Sequence, residues 1–362
     1  VREFDPARCL YIAHREQILI RSKESFQRVL GLDEEDCGLL SGTRKESARK
    51  FVFATIQSLV KEENLASFDP DDFDYIIIDE VHRAGAPSYA KVMDYFTPEF
   101  MLGMSATPER TDEFNVFELF HNNVAYEIRL QRALEENLLV PFHYFGVSDF
   151  ELDGEVIDDH TELSKVDQAE RMSFLLEKIE YYGHGGDSLR GLVFCSRRSE
   201  GEIVADLLRA NGYRAVFLSG MDTQEKRAEE VERMESGDLD YIVTVDIFNE
   251  GIDIPCINQV VMLRQTQSSI VFVQQLGRGL RLDDGKDYLT VIDFIGNYRN
   301  NFMIPIALSG SETYEKDDLR AFLTNSEYMT GLTSVNFEEV ARERIYQSIN
   351  DAPLGSVRQK RS

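Results

Sequence analysis

Short apolar runs alternate with helix-like stretches along the first half of the chain. A strand that helices cover on both faces is apolar at nearly every position, so this alternation predicts an α/β domain with a parallel sheet. A further strand-like run at 140–147 follows the helix-like residues 130–137 and closes this half. The four apolar runs that define the series are 8–13, 50–55, 74–79 and 100–105.

A second series of the same kind follows an acidic, glycine-containing stretch at 148–160. The repeated pattern predicts two α/β domains, at 1–147 and 166–305, joined by a linker at 148–165. The predicted strands of the second series are 191–195, 214–218, 241–245, 259–263 and 287–294, and its helices are 165–182, 199–211 and 223–237.

The periodicity weakens after about Asn301, and residues 306–362 are predicted to form a C-terminal extension. Helical patterns at 317–323 and 337–349 have two interpretations. They are either the start of a further, helical domain or a C-terminal helix that packs on the second domain. The tail after Asp351 is short, polar and finally basic, and is predicted to lack structure.

The charge balance is strongly acidic. With 65 acidic and 39 basic residues, the net charge is −26 and the pI is about 4.6. This balance argues against a generally basic nucleic-acid-binding protein. It leaves room for a locally positive groove, whose binding of nucleic acid would be unusually sensitive to salt.

The cysteines and the apolar runs indicate a cellular compartment. Cys9, Cys37, Cys195 and Cys256 form no C-x-x-C pair, which favours free thiols in a reducing cytosol. No apolar run approaches the roughly 20 residues that span a bilayer, and no signal peptide is visible. We therefore expect a cytoplasmic protein with no membrane partner.

An acidic sequence follows the most apolar of the predicted strands. Tyr75–Ile78 is succeeded directly by Asp79, Glu80, Val81 and His82. The first polar residues after a buried parallel strand lie at the carboxyl edge of the sheet, where α/β proteins bind their ligands. Carboxylates at this position are typical of a nucleotide and magnesium site, although an acidic turn that caps the next helix has the same pattern.

Further motifs follow in order along the chain, and together they resemble those of superfamily II helicases and translocases. They are Met104–Pro108, Thr244–Pro255 and Gln274–Arg281. The resemblance covers about residues 8 to 300. In Tyr11–Glu16, Phe248–Pro255 and Gln275–Arg281 it is closest to bacterial DEAD/DEAH-type helicases related to the motor (Res) subunits of restriction enzymes.

The resemblance implies two tandem RecA-like domains that hydrolyse ATP with Mg²⁺ at the cleft between them and act on nucleic acid. The restriction-type relatives favour DNA. Many such chains carry a phospholipase-D-type nuclease domain upstream, so a nuclease domain is expected in the parent chain. The resemblance also favours a truncated further domain at the C-terminus.

One part of the expected motif set is absent from these 362 residues. No G-x-x-x-x-G-K-[ST] loop, which holds phosphates with backbone amides and a lysine, occurs in the sequence. The fragments at 41–45 and 285–287 cannot replace it. In the family this loop precedes the strand that begins here near Arg8, so we expect it upstream of Val1. The chain is therefore interpreted as a fragment with little or no ATPase activity of its own.

The resemblance assigns roles to the acidic motif. Asp79 is expected to hold Mg²⁺, largely through water, and Glu80 to orient or deprotonate the attacking water. His82 is expected to contact the nucleotide site and relay its state, although a polar residue that caps a helix would also fit. Ser105 and Thr107 are expected to couple hydrolysis to motion by hydrogen bonding to this motif, and an ordinary turn before Pro108 is the alternative.

The second half supplies the remaining nucleotide contacts that the resemblance implies. Gln274, Arg278 and Arg281 are expected to face the nucleotide, with Arg281 as the arginine finger and Arg278 as its partner. A surface pair of salt-bridged arginines is the alternative.

A neighbouring motif in the second half is expected to contribute as well. Gly251 permits a tight turn, and Asp253 is the candidate for a contact to the ribose or to the arginine pair. Thr244 and Asp246 open this element. A plain structural turn would explain Gly251 and Pro255 nearly as well.

The nucleic-acid contacts are expected at strand ends, through amides, hydroxyls and arginines that touch the phosphate backbone without reading bases. Each of these residues has a simple alternative as a helix cap. The candidates are His14, Arg15, Thr55, Gln57, Arg197, Ser219, Gly220 and Thr244.

Two functions of different class remain open from the sequence. The parent protein is either an ATP-driven helicase or translocase, or a nucleotide-independent clamp or scaffold with a helicase fold. The acidic charge and the missing phosphate loop favour the clamp. Truncation explains the missing loop more simply, and an upstream phosphate loop in the parent chain would support the motor.

Overall fold

The computed structural model groups the chain into two compact units, Val1–Glu127 and Ile128–Ser362. Each is an α/β unit built on a mainly parallel sheet, which confirms the predicted fold class. The residues that the structure describes are 5–81, 84–105, 116–128, 130–152, 155–156, 165–245, 254–263, 277, 279–296, 300–309, 315–324 and 332–352.

The first unit has a six-stranded sheet. Its strands are β1 (Cys9–Ala13), β2 (Cys37–Ser41), β3 (Arg44–Lys45), β4 (Phe51–Thr55), β5 (Tyr75–Ile78) and β6 (Phe100–Gly103). The strand order is β3-β2-β4-β1-β5-β6, and every pair is parallel except the antiparallel β2 and β3. The four predicted apolar runs thus became β1, β4, β5 and β6, while β2 and β3 were not predicted.

Helices cover both faces of this sheet. Alternate residues of β1 enter opposite cores: Leu10 and Ile12 pack in one, and Cys9 and Tyr11 pack in the other. This two-sided burial explains why the strand is apolar throughout. The helices are α1 (Glu16–Leu30), α2 (Ile56–Leu59), α3 (Glu62–Leu65) and α4 (Pro87–Tyr95), with 3₁₀ turns at Glu34–Asp36 and Val116–Phe120.

The second unit has a seven-stranded sheet in which all neighbours are parallel, and a separate antiparallel pair, β8 and β9. The strands are β7 (Phe142–Ser148), β8 (Glu151–Leu152), β9 (Glu155–Val156), β10 (Gly191–Cys195), β11 (Ala215–Ser219), β12 (Tyr241–Val245), β13 (Gln259–Leu263), β14 (Leu289–Ile295) and β15 (Ser334–Phe337). The sheet order is β11-β12-β10-β13-β14-β7-β15.

The described helices of the second unit agree with the predicted ones to within two residues at each end, except the helix Met303–Ser309, which was not predicted. The helices of this unit are α5 (Leu130–Glu135), α6 (Lys165–Tyr182), α7 (Arg198–Ala210), α8 (Gln224–Ser236), α9 (Met303–Ser309), α10 (Lys316–Thr324) and α11 (Glu339–Asp351). None of the helices in the described ranges of either unit combines the length and the apolar character needed to cross a bilayer.

Strand β7 corrects the predicted domain boundary. The sequence placed this strand at the end of a first domain, 1–147, whereas it lies between β14 and β15 in the second sheet. The division between the units therefore falls after Glu127. The apolar pattern of a strand does not show to which sheet the strand belongs. Because its partner β14 lies far along the chain, local periodicity could not assign β7 to the second sheet.

The C-terminal segment also belongs to the second unit. Strand β15 pairs with β7, and Ala341, Ile345 and Ile349 of α11 pack in the same core as Tyr144. A C-terminal helix that packs on the second domain is thus the correct interpretation of 337–349, and the start of a further domain was wrong for these residues. The tail from residue 353 onward lies outside the described residues.

Candidate functional site

The carboxyl ends of four neighbouring strands form one edge of the first sheet. Strands β1, β4, β5 and β6 run parallel, so the residues that follow them meet at this edge. His14, Thr55, Asp79 and Ser105 occupy the strand ends or the positions just after them. The structure therefore brings together candidates for metal binding, coupling and nucleic-acid contact.

A tyrosine that the sequence did not single out contacts the metal-binding candidate. Tyr11 lies opposite Ile77 in the register of β1 and β5, and its hydroxyl donates a hydrogen bond of 3.0 Å to Oδ2 of Asp79. The amide of Glu80 donates to Oδ1 of Asp79 at 2.9 Å. The amide of Asp79 donates to the carbonyl of Ile12 at 2.9 Å, which continues the ladder past the strand end. The two oxygens of the Asp79 carboxylate thus accept one hydrogen bond each, Oδ2 from the Tyr11 hydroxyl and Oδ1 from the Glu80 amide.

The surroundings of Asp79 disfavour the ionised form of its carboxyl group. Burial raises the pKa of its carboxyl, and the charge of Glu80 raises it further, while the Tyr11 hydrogen bond, the Glu80 amide and His14 act in the opposite direction. A cation at this edge would relieve the cost of holding a half-buried carboxylate next to another one. His14 and Asp79 directly follow the neighbouring parallel strands β1 and β5, so these two predicted site residues lie at the same edge.

The turn after β5 is tied to strand β6. Glu80 adopts the left-handed backbone conformation with φ of 51°, which is strained for a residue other than glycine. The amide of Val81 donates to the carbonyl of Met104, and the amide of Met104 donates to the carbonyl of Ile78, both at 2.9 Å. These bonds hold the turn in place and bring Ser105 to the same edge as Glu80.

The donor set at this edge fits Mg²⁺. Magnesium takes hard oxygen ligands, keeps several waters, and is commonly bound through one or two carboxylates together with substrate phosphates. Asp79 retains acceptor capacity beside its two hydrogen bonds. Within the described ranges no group of three or more His, Cys, Asp or Glu side chains could hold a metal ion. A magnesium ion here would therefore rely on Asp79, water and nucleotide.

The nucleic-acid candidates of the first unit differ in exposure. Arg15 and Gln57 are exposed, His14 is half-buried, and Nε of Arg15 lies 3.1 Å from Nε2 of His14. Thr55 is only 6% exposed, and its hydroxyl lies 3.5 Å from that of Ser41 on the neighbouring strand β2. Arg15 and Gln57 can thus contact a ligand directly, whereas the side chain of Thr55 is turned into the unit.

The candidates of the second unit also lie at the carboxyl ends of parallel strands. Arg197 is exposed where β10 passes into α7, and Gly220 is exposed after β11. Ser219 is 2% exposed, and both its amide and its hydroxyl donate to Oδ2 of Asp222. Thr244 is fully buried within β12, so its side chain is removed from every surface of the unit. Arg197 and Gly220 are the accessible members of this set.

An ion-pair network that sequence reasoning missed supports the loop of Arg197. Glu200 accepts hydrogen bonds from the Ser196 amide at 3.1 Å and from Arg171 of α6 at 2.8 Å. Arg171 also lies 3.7 Å from the buried Asp149 that follows β7. The partners come from three separate elements, so no local sequence signal identifies the network.

Lys286 lies in the fragment 285–287, which was not expected to replace a phosphate loop. The contacts of its side chain agree with this expectation. Its ammonium is buried and donates to the carbonyl oxygens of Pro255 at 2.6 Å, Ile257 at 3.0 Å and Gly279 at 3.0 Å. Lys286 therefore links two chain segments instead of meeting a phosphate. Two residues beyond Gly279, Arg281 is exposed.

Several residues with expected roles cannot be placed. They lie outside the described residues, so their roles remain predictions from the motifs. They are His82, Thr107, Asp246, Gly251, Asp253, Gln274 and Arg278.

Comparisons with protein families match both halves of the chain. Residues 1–110 match the family described as type III restriction enzyme, res subunit, and residues 170–283 match the helicase conserved C-terminal domain. Each match covers one of the two segments in which the helicase-like motifs lie. The two models together account for the order of motifs along the chain.

Related proteins and structures point in the same direction. IRC3 of Saccharomyces cerevisiae, named as a candidate ATP-dependent helicase, is 24% identical over 79% of this chain and 43% of its own length. The EcoAI endonuclease subunit of a type I restriction enzyme of Escherichia coli is 26% identical over 79% of this chain and 40% of its own. The structure of the ATP-dependent type ISP restriction-modification enzyme LlaBIII bound to DNA covers 99% of this chain and 30% of its own, with a TM-score of 0.64 and 16% identity.

These similarities confirm the fold expectation of two tandem RecA-like domains. The chain spans less than half the length of the first three curated relatives that it matches.

Proposed function

Because this chain belongs with the superfamily II helicases and translocases, joining a restriction-type res domain to a helicase C-terminal domain, we propose that its parent protein is a nucleic-acid-dependent ATPase that moves along DNA. The observation that carries the proposal is the edge of the first sheet where Tyr11, Asp79 and Glu80 meet. Paired carboxylates directly after a buried parallel strand suit ATP hydrolysis with Mg²⁺.

The residues of the first unit would divide the chemistry between them. Asp79 would hold Mg²⁺, which supplies charge neutralisation at the phosphates when bound. Glu80 would orient the attacking water and take its proton, and the strained turn at Glu80 presents its carboxylate at the strand end. Tyr11 would keep Asp79 in one orientation. Ser105, tied to this turn through Met104, would sense the state of Glu80.

The second unit would contribute charge stabilisation. We assign Arg281 to the transferring phosphoryl group, with Arg278 as its partner, and Gln274, Gly251 and Asp253 to nucleotide contacts, all by their places in the motifs. Arginine fingers accelerate phosphoryl transfer by about 10³ to 10⁵. Arg281 is exposed, which suits this role. His82 and Thr107 complete the proposed relay in the first unit.

The nucleic-acid track is proposed to contact Arg15 and Gln57 in the first unit and Arg197 and Gly220 in the second. All four are exposed after parallel strands, which suits contacts to a phosphate backbone. DNA is favoured because the EcoAI subunit and LlaBIII are named as restriction enzymes, the latter in a complex with DNA. A nuclease domain elsewhere in the parent protein would fit the same relatives.

The chain by itself is proposed to hydrolyse ATP weakly or not at all. No phosphate-loop sequence occurs in the 362 residues, and Lys286, in the nearest fragment of the second half, is committed to carbonyl oxygens. We also propose a cytoplasmic location. The four cysteines form no disulfide, and three are buried, as expected in a reducing compartment.

A second candidate function is a nucleotide-independent clamp or scaffold that uses a helicase fold to hold nucleic acid. The net charge of −26 and the missing phosphate loop favour it. Unlike the motor, a clamp needs no carboxylate chemistry at Asp79 and Glu80.

ATP turnover by the parent protein, extended upstream through the predicted phosphate loop, tests the proposal. Turnover is measured with single-stranded DNA, duplex DNA, RNA or no nucleic acid, beside a Glu80→Gln variant that keeps the side-chain volume but cannot accept the proton. Stimulation by DNA that Glu80→Gln abolishes would support the motor. Binding of DNA without turnover in any condition would overturn it in favour of the clamp.

A further inference from the structure

The Tyr11 side chain joins the candidate metal site to helix α1. Its hydroxyl donates to Asp79, and the residue as a whole is 5% exposed. The ring packs against Phe26 of α1, with centroids 5.8 Å apart at 78°, and against Phe53 of β4 at 5.7 Å. This packing leaves the phenol little freedom to leave Asp79.

The same helix also connects Tyr11 to a proposed contact with nucleic acid. Helix α1 begins at Glu16, directly after Arg15, its N-cap residue and a proposed contact to nucleic acid. One helix thus touches both the proposed track and the support of the metal-binding carboxylate.

We propose that Tyr11 is a positioning residue that fixes the metal-binding carboxylate of Asp79 and transmits to it the position of helix α1. The inference rests on the proposed function and adds to it a route by which nucleic acid at Arg15 regulates the metal site. Contact of a phosphate with Arg15 shifts the start of α1, and the packing of Phe26 against the Tyr11 ring carries this shift to Tyr11.

The chain offers a matched control for this role. In the second unit, Tyr144 donates a hydrogen bond of 2.6 Å to Oδ2 of Asp293 from the same relative position on neighbouring parallel strands. Asp293 is 2% exposed and lies inside a strand, so it faces no ligand. Tyr144→Phe therefore removes the same chemical group from the same kind of pair without touching the proposed site.

Binding of Mn²⁺ to the parent protein in the presence of ADP, followed by electron paramagnetic resonance, gives the first test. Asp79→Asn is expected to abolish the site, and Tyr11→Phe to weaken Mn²⁺ binding about tenfold, because a hydrogen bond to a charged group is lost and the carboxylate is freed. Tyr144→Phe is expected to bind as the wild type does. Equal affinity of Tyr11→Phe and wild type, or no binding that depends on Asp79, would overturn the positioning role.

Turnover by the parent protein tests the transmission. The factor by which nucleic acid stimulates ATPase activity, measured at saturating Mg²⁺, is expected to fall several-fold in Tyr11→Phe and to stay unchanged in Tyr144→Phe. An unchanged factor in Tyr11→Phe would overturn the transmission and leave the positioning role in place. Absence of turnover in the wild-type parent would overturn the proposed function together with the transmission, whereas a Mn²⁺ affinity that depends on Tyr11 would still stand.

Discussion

The two units each contain a tyrosine that donates to an aspartate on the neighbouring parallel strand. Tyr11 lies opposite Ile77 and bonds Asp79, two residues further on, at 3.0 Å. Tyr144 lies opposite Val291 and bonds Asp293, again two residues further on, at 2.6 Å. Because side chains alternate along a strand, this spacing places both groups of a pair on the same face of the sheet.

The two pairs differ in where the strand ends. Asp79 follows β5, is half-buried and precedes Glu80 in a strained turn. Asp293 lies within β14, which continues to Ile295, and burial raises its pKa to about 7, while the Tyr144 hydrogen bond lowers it and the charge of Asp149 raises it. A tyrosine–aspartate pair of this kind can therefore present a carboxylate to a ligand when the aspartate follows the strand. When the aspartate lies inside the strand, the same pair keeps a carboxyl group in the core.

The largest difference between the two tyrosine–aspartate pairs is expected in ATP turnover. In the parent protein, Asp79→Asn should lower ATP turnover by at least about 100-fold, because the carboxylate that holds the metal is lost. Asp293→Asn should leave turnover within about twofold of wild type, since Asp293 touches no proposed ligand. Steady-state turnover at saturating ATP measures both. Comparable losses in the two variants, with the fold intact by circular dichroism, would remove the distinction between the pairs.

The next largest effect is expected in the pH dependence of stability of the second unit. With a folded pKa of about 7 and an ordinary value of 3.8, Asp293 stays protonated in the folded unit while the unfolded chain ionises it. The free energy of unfolding should therefore fall between about pH 4 and pH 7, by about 1.4 kcal/mol per pH unit from this group alone. Above about pH 7 the contribution becomes constant.

Urea unfolding at pH 5 and pH 7, followed by hydrogen exchange of amides in β14, measures this slope. Asp293→Asn should remove it while keeping the acceptor for Tyr144. A variant that retains the full slope would show that other groups cause it. The buried Asp149, whose pKa is also raised by burial, is the first alternative to examine.

Removal of each phenol should affect stability to a smaller and unequal extent. Tyr144→Phe leaves the fully buried Asp293 without this donor and should cost the second unit about 1–3 kcal/mol. Tyr11→Phe should cost the first unit about 1 kcal/mol or less, because water can reach the half-buried Asp79. Hydrogen exchange in β5 and in β14 reports on the two units separately. A larger cost for Tyr11→Phe would contradict the assignment of Asp293 to the core.

The smallest effect concerns the proposed track at the edge of the second sheet. Arg197→Ala should weaken binding of single-stranded DNA a few-fold and reduce the slope of log affinity against log salt by about 0.7, the value for one phosphate on a single strand. Arg209→Ala is a matched control, since this exposed arginine lies at the other end of α7 and pairs with Asp206. Equal changes in the two variants would indicate loss of general charge instead of a contact.

The sequence predicted what depends on local periodicity and on parallel order. The apolar runs identified β1, β4, β5 and β6, and the rule that the first polar residues after a buried parallel strand lie at the carboxyl edge of the sheet placed Asp79 there, where the structure has it. Tyr11 was missed because it lies within an apolar run and its partner is 68 residues away.

Other features escaped prediction for related physical reasons. Thr244 was expected at a surface, but a strand buried on both faces hides every side chain regardless of alternation. Strand β7 was assigned to the first domain because its own pattern does not reveal that its neighbours are β14 and β15. Residues that contact each other across a long stretch of sequence leave no local signal.

The position of β7 also bears on the order in which the chain can fold during synthesis. This strand leaves the ribosome long before its partners: Tyr144 bonds a residue 149 positions later, and the Phe142 amide bonds the hydroxyl of Thr333, 191 positions later. The first unit can complete its sheet from strands made early. Until β14 and β15 emerge, β7 exposes two unpaired apolar edges, the kind of segment that aggregates or recruits chaperones. Slow translation after β7 would prolong this exposure.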